Sequence, residues 1–125
     1  MCRSERKSAG NADRGYVTAE AAMVIPALVL FAALLVWALM AAAAQIRCVD
    51  AARAGARAAA RSEPVEVALA AARAAAPPGA EVEVERAGDL WRVRVAASAP
   101  GSDRLPVRIG AQAVALAEDS VGSPP

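Results

Sequence analysis

The sequence contains no histidine, which removes the side chain best suited to proton transfer near neutral pH and a common metal ligand. Its two cysteines, Cys2 and Cys48, lie far apart in different segments and form no disulfide framework. One phenylalanine, one tyrosine and two tryptophans leave few large side chains to line a ligand pocket. No grouping of nucleophile and base stands out. We therefore expect a protein that is not an enzyme, with no catalytic, cofactor or metal site.

An excess of charge is also lacking, because 14 Lys and Arg balance 13 Asp and Glu. A net charge of +1 gives no reason to expect nucleic acid as a partner. With 125 residues, the chain has room for one small domain at most.

What the sequence does have is a long apolar run from Ala21 to Ala44 without a charged residue. As a helix this run is about 36 Å long, enough to cross a bilayer core of about 30 Å. A chain this short cannot bury such a segment in its own core, so the run predicts a membrane span.

The residues before the span are polar and basic, with Arg3, Arg6, Lys7 and Arg14 against Glu5 and Asp13. We interpret residues 1–15 as a targeting leader without a fold of its own. Positive charge ahead of a first span favours a cytoplasmic N-terminus and an extracytoplasmic C-terminal domain. Four arginines follow the span, so charge alone leaves the orientation nearly balanced.

A glycine and a glutamate five residues apart mark the junction of leader and span. Gly15 ends the leader, and Glu20 stands directly against the apolar run. This spacing resembles the type III signal of type IV pilin-like proteins, which a prepilin peptidase cuts after the glycine on the cytoplasmic face. The resemblance implies cleavage between Gly15 and Tyr16, with the apolar segment kept and Glu20 as the fifth mature residue.

The residues after Glu20 sharpen the match. Ala22 and Pro26 stand at plus two and plus six, as in the TadE-like minor pilins (pseudopilins) of tight-adherence (Tad) pilus systems, which this stretch resembles. Ala21 replaces the aromatic residue usual at plus one. The resemblance covers about residues 14–44. It implies a pilus-assembly role at the cell membrane or in the pilus, with membrane lipid, other pilins, the inner-membrane assembly platform and prepilin peptidase as partners.

Glu20 is predicted to dock the subunit, because an ionisable residue at the edge of a span is costly to bury. Cleavage would place a new amine on Tyr16. An ammonium and a carboxylate about 4 Å apart attract by about 4 kcal/mol at an effective dielectric near 20, before desolvation. This attraction favours one register between neighbouring subunits. The alternative is a boundary carboxylate stabilised by the helix dipole.

Pro26 predicts a kink in the membrane helix, because it lacks an N–H and its ring crowds the carbonyl of Ala22. The alternative is a proline tolerated in the membrane, with the freed carbonyl satisfied by a neighbour.

The helix is expected to continue to Arg61 as a stalk with two faces, so that residues 16–61 form one element. One face is charged: Arg47, Asp50, Arg53, Arg57 and Arg61. The opposite face, here called the small face, allows close backbone approach and consists of Ala44, Cys48, Ala52, Gly55 and Ala59. Packing against sister or partner helices and packing on the chain's own domain both stay open.

Residues 62–117 predict a small extracytoplasmic domain. A helix over residues 65–76 ends at Pro77-Pro78-Gly79. Alternating residues then predict two strands around a Gly88-Asp89 turn. A third strand runs from Val107 to about Leu116, and residues 118–125 form a disordered tail. The predicted class is α+β: a long N-terminal transmembrane helix extended as a stalk, then a small helix and a three-stranded antiparallel sheet.

The Gly88-Asp89 loop also fixes the expected strand register. It places Glu85 opposite Arg92, Glu83 opposite Arg94 and Val84 opposite Val93, so that every pair matches in kind.

Two other classes of protein remain as alternatives. A conventional signal peptide cut near Ala44 would release a secreted protein starting at Gln45, although the run exceeds the 7–15 apolar residues typical of such signals. An uncleaved single-span protein with a small external binding domain is the other. The mature N-terminus separates the three: Tyr16, about Gln45, or Met1.

Overall fold

The computed structural model describes residues 6–120. Residues 1–5 of the predicted leader and residues 121–125 of the predicted tail lie outside it. Its elements are two helices and three strands followed by a 3₁₀ turn: α1 (Arg6–Ala60), α2 (Val65–Ala75), β1 (Glu81–Ala87), β2 (Leu90–Ser98), β3 (Arg108–Leu116) and Glu118–Ser120. This is the predicted α+β arrangement, and the fold class is confirmed.

The chain divides into two units, Met1–Val36 and Trp37–Pro125. In the first unit the described residues are helical from Arg6 onward. A single helical stretch is not a fold, so the interpretation of residues 1–15 as a leader without a fold of its own stays a prediction. Residues 6–15 contain no proline, and their two glycines lower helix propensity without breaking the helix.

In the second unit, the sequence between α1 and α2 enforces a sharp reversal. Ser62 takes a positive φ of 59°, and Pro64 disfavours helical geometry at the residue before it. The carbonyl of Pro64 then accepts hydrogen bonds from the N–H groups of Val67 and Ala68, at 2.9 and 3.2 Å, in the first turn of α2. Pro77 and Pro78 follow the C-cap residue Ala76 and keep α2 short.

The sheet is antiparallel with strand order β1-β2-β3. Glu83 pairs with Arg94, Val84 with Val93 and Glu85 with Arg92, so the predicted register is confirmed. Gly88 takes a φ of 63°, a conformation that glycine adopts without the steric cost of a Cβ. The charge pattern and the turn therefore select the same alignment.

The outer face of the sheet carries exposed ion pairs. Arg108 contacts Glu81 at 2.9 Å and Arg94 contacts Glu83 at 3.8 Å. Because all four side chains are more than half exposed, each pair contributes well under about 1 kcal/mol. This face is best described as a solvated surface that helps to fix register.

The core between the helices and the inner sheet face is built almost wholly from small residues. Its main cluster contains residues of α1, α2 and β2: Cys48, Ala51, Ala52, Ala56, Ala72, Val93, Val95 and Ala97. The largest fully buried side chains are Val93, Val95 and Cys48. Small side chains let backbones approach closely, so the packing has little slack for added volume.

Gly110 on β3 is a position where this tight packing can be tested. A Cβ added at Gly110 would lie 2.8 Å from the carbonyl oxygen of Val95, closer than real Cβ contacts come. We expect Gly110→Ala to lower the free energy of unfolding by about 1–3 kcal/mol, because backbone must shift. Thermal unfolding followed by circular dichroism measures the effect.

The matched control for this prediction is Gln112→Ala, an exposed position two residues further along β3. A change within about 0.5 kcal/mol is expected there. If both variants unfold at the same temperature as the wild type, the close approach at Gly110 does not constrain the sheet.

Candidate functional site

The predicted cleavage and docking residues lie on one exposed stretch of α1. Gly15, Tyr16 and Glu20 are all exposed, Tyr16 at 75%. Among the described residues, nothing lies within 4 Å of a Cβ built on Gly15. The Thr18 hydroxyl donates a 2.8 Å hydrogen bond to the carbonyl of Arg14. The whole junction is therefore open to another molecule along its length.

The apolar run beyond this junction is a candidate membrane span. The helix is long and apolar enough to cross a bilayer, and none of its most apolar 18-residue window is buried. Met23, Leu28 and Phe31 are each at least 60% exposed. Continuous apolar surface of this extent needs lipid or other apolar helices around it.

Pro26 lies inside α1. Because its nitrogen carries no hydrogen, the carbonyl of Ala22 loses its usual helical partner. The kink predicted at this position stays a prediction.

Two long-range hydrogen bonds join α1 to the β2–β3 hairpin within the second unit. The indole Nε1 of Trp37 donates to the carbonyl of Pro100, and Nε2 of Gln45 donates to the carbonyl of Gly110, both at 2.8 Å. Sequence reasoning missed both. The available signal was the amphipathic side chain of Trp37, whose N–H usually finds a polar partner.

Beside the first of these bonds lies a half-open groove of about 390 Å³. Residues 40–47 of α1 form one wall, and Pro77, Pro78 and Pro100 contribute to the other. Its lining is mainly apolar, with Arg47 at the edge.

The small face of the stalk is buried against the chain's own domain. Cys48 and Ala52 are fully buried, Ala59 is 2% exposed and Ala44 8%. A Cβ on Gly55 would lie 3.0 Å from Cβ of Ala72 and 3.1 Å from Cγ1 of Val93. Of the two packing arrangements that the sequence left open, the structure contains packing on the chain's own domain.

The opposite, charged face of the stalk is exposed at every predicted position: Arg47, Asp50, Arg53, Arg57 and Arg61. Arg61 forms a 3.0 Å ion pair with Glu63 just past the helix end. The predicted division of the stalk into a charged and a small face therefore matches the burial pattern.

Cys48 lies four residues past the apolar run and is completely buried. Burial raises the pKa of its thiol, since the thiolate would lose hydration. A buried thiol with a raised pKa is a packing residue rather than a nucleophile. Among the described residues, no group of three or more metal-ligating side chains comes together.

These features define a class of protein: a candidate single-span membrane helix that continues into a small α+β domain. The description "TadE-like protein" belongs to a family model that matches residues 15–57. The chain is also 40% identical over 100 residues to a Mycobacterium tuberculosis (strain ATCC 25618 / H37Rv) protein named "Apoptosis inhibitor Rv3655c". That alignment covers 79% of this chain and 77% of the relative.

The chain therefore belongs to the TadE-like family, which associates it with Tad pili. The resemblance seen in the sequence is confirmed at the level of the family. No solved structure matches.

Gly55 offers a test of the packing on the small face. We expect Gly55→Leu to lower the free energy of unfolding by about 1–3 kcal/mol or more, because α2 and Val93 leave no room for the added side chain. The measurement is a urea unfolding curve of the full chain in detergent.

Arg57→Leu is the control, since it adds a leucine to the same helix on the exposed face. It is expected to stay within about 0.5 kcal/mol of the wild type. Equal stability of both variants would contradict the close packing of α1 on its own domain.

Proposed function

We propose that this protein is a minor pilin, or pseudopilin, that takes part in assembling a Tad-type pilus through its N-terminal membrane helix. Membership of the TadE-like family supports this proposal. The family match begins at Gly15 and ends at residue 57, so it covers the junction, the span and most of the stalk. These are the parts that a helix-mediated assembly role requires.

One observation carries the proposal: the apolar side chains of the helix of the first unit are exposed, whereas the small face of the stalk is already covered. The side chains from Ala12 to Val36 are exposed. Ala52 and Gly55 on the stalk are buried by the chain's own α2 and β2. Lateral contacts with other pilins therefore fall to the helix between Tyr16 and Val36.

Processing would prepare this helix for assembly. Prepilin peptidase cleaves between Gly15 and Tyr16 at the cytoplasmic face, leaving the domain on the other side of the membrane. The new amine of Tyr16 then pairs with the Glu20 carboxylate of a neighbouring subunit in the membrane. At a separation of about 4 Å the attraction is about 4 kcal/mol at an effective dielectric near 20, before desolvation, which favours one register.

Pro26 would shape the same helix. A kink at this position changes the path of the helix beyond its first turns, and with it the side chains that meet a neighbour.

The structure disfavours release by a conventional signal peptidase near Ala44. Ala44 is 8% exposed, and the side chain of Gln45 donates a hydrogen bond to the carbonyl of Gly110. The peptide bond between these two residues therefore lies in a packed part of the helix. Cleavage there would also remove Trp37 and its bond to Pro100. An uncleaved single-span protein with an external binding domain remains the competing possibility, and the mature N-terminus distinguishes it.

Processing is tested by sequencing the N-terminus of the protein purified from cells that contain the Tad assembly proteins. We expect the mature chain to start at Tyr16 and Gly15→Val to block cleavage, because the peptidase acts after a glycine. Gly10→Val is the control within the same leader and should be processed normally. A chain starting at Met1 or near Gln45 would refute the pilin proposal.

Docking is tested with Glu20→Gln, which keeps the size of the side chain and removes its charge. We expect normal cleavage at Gly15 but a loss of pilins co-purifying in detergent and of pili in micrographs, since the pairing amine has lost its partner. Asp50→Asn removes a carboxylate from the exposed face of the stalk and should change neither. If the two variants behave alike, Glu20 has no docking role.

A further inference from the structure

We propose that the loop joining β2 to β3, residues 99–107, is a lipid-contacting loop. It lies in the interfacial layer of the bilayer that the span crosses, on the side of the small domain. Its partner is the phospholipid surface, both headgroups and the upper acyl chains. The inference rests on the membrane span of the proposed function, and on neither cleavage nor pilus assembly.

The direction of β2 places this loop at the end of the domain nearest the apolar run. At its start, Trp91 packs against the cluster containing Ala58 and Ala59, near the C-terminal end of α1. Further along, Val95 packs in the cluster containing Cys48. Pro100, just past the strand, accepts the hydrogen bond from Trp37. β2 thus runs antiparallel to α1, and the loop begins beside Trp37 in the apolar run.

The position of Trp37 sets the depth of the loop. The helix from Trp37 onward belongs to the unit that contains the sheet, so the residues before it are the ones available to fill the bilayer core. From Tyr16 to Val36 the helix is about 32 Å long, close to the core thickness of about 30 Å. With this stretch in the core, the indole of Trp37 lies at the core boundary, where tryptophans gather in membrane proteins. Its hydrogen bond holds Pro100 at this level too.

The loop presents side chains suited to that layer. Leu105 is 70% exposed, Val107 is 38% exposed, and Pro106 between them is also exposed. Arg104 is exposed beside them and can meet lipid phosphates, with Asp103 as the acid of the loop. Water is a poor environment for this apolar group, whereas an interface accommodates both its apolar and its charged members.

The backbone of the loop is internally bonded, which lowers the cost of leaving water. Ala99 N–H donates to Val107 O at 2.8 Å, and Leu105 N–H donates to Ser102 O at 3.0 Å. Ser102 N–H donates to Ala99 O at 3.2 Å, while Pro100 and Pro106 have no N–H to satisfy. Unpaired backbone groups are what excludes most loops from lipid. This loop has fewer of them than its length suggests.

Continuity with the span favours lipid over a second protein as the occupant. The loop base is bonded to a residue of the apolar run itself, so the bilayer around that run reaches the loop without another partner. The groove of about 390 Å³ beside Pro100 adds apolar surface next to Met40 on the same run, with Arg47 at its edge.

The test uses full-length protein in vesicles of phosphatidylethanolamine and phosphatidylglycerol. An environment-sensitive, dithionite-reducible fluorophore is attached to Leu105→Cys in a Cys2→Ser background, and Cys48 stays unlabelled because it is buried. Leu116→Cys is the matched control: it is 59% exposed, at the far end of β3 and about 26 Å from Arg108. Leu30→Cys, 63% exposed in the apolar run, reports on the span.

We expect the probe at position 105 to react several-fold more slowly with dithionite than the probe at 116. Nitroxides on the upper acyl chains should quench it more strongly than the probe at 116. If positions 105 and 116 are equally accessible to dithionite while position 30 is quenched by lipid, the loop proposal fails and the span stands. If position 30 also lies in water, the span fails with it.

A probe at position 105 that is shielded from dithionite but unaffected by lipid nitroxides overturns the proposal in another way. Such a result would mean that the loop is covered by protein, most simply a second copy of this chain.

Discussion

The close approach of α1 to α2 and β2 is the constraint on which the second unit depends. It is made possible by a core of alanines and by Gly55, where an added methyl group would crowd Ala72 and Val93. Small side chains bury little apolar area each, so stability must come from many short contacts over a long helix. A small domain of this kind depends on its stalk helix as part of its own core.

This constraint decides which surfaces are left for other molecules. In isolation, a stripe of small residues on a membrane-proximal helix suggests helix–helix association. Here Ala52 and Gly55 are buried against the chain's own α2 and β2, and the charged face opposite is exposed to solvent. A long apolar surface that stays open is the helix of the first unit. From Tyr16 to Val36 it measures about 32 Å, close to the thickness of a bilayer core.

Local sequence patterns predicted the elements well, because the competing forces pointed the same way. The alternation of Val with Glu or Arg, a glycine turn and matching cross-strand charges fix the β1–β2 register together. The patterns could not decide what covers the small face, since alanine and glycine suit any closely approaching backbone. They also could not reveal the bonds of Trp37 and Gln45, whose partners lie 63 and 65 residues away. Nor did alternation distinguish Gly110, where contact with Val95 requires the glycine.

The bonds of Trp37 and Gln45 have a mechanical consequence for the end of the apolar run. Residues 37–45 belong to the same unit as the sheet, and both end residues form side-chain hydrogen bonds to the β2–β3 hairpin. A domain linked to its anchor by a flexible segment pivots freely, whereas this one is continuous with the last two turns of the run. Under the proposal that the run spans a bilayer, the depth of Trp37, whose indole favours the interface, sets the height of the domain. A change in the depth of residues 37–45 in lipid would then move the hairpin loop with them.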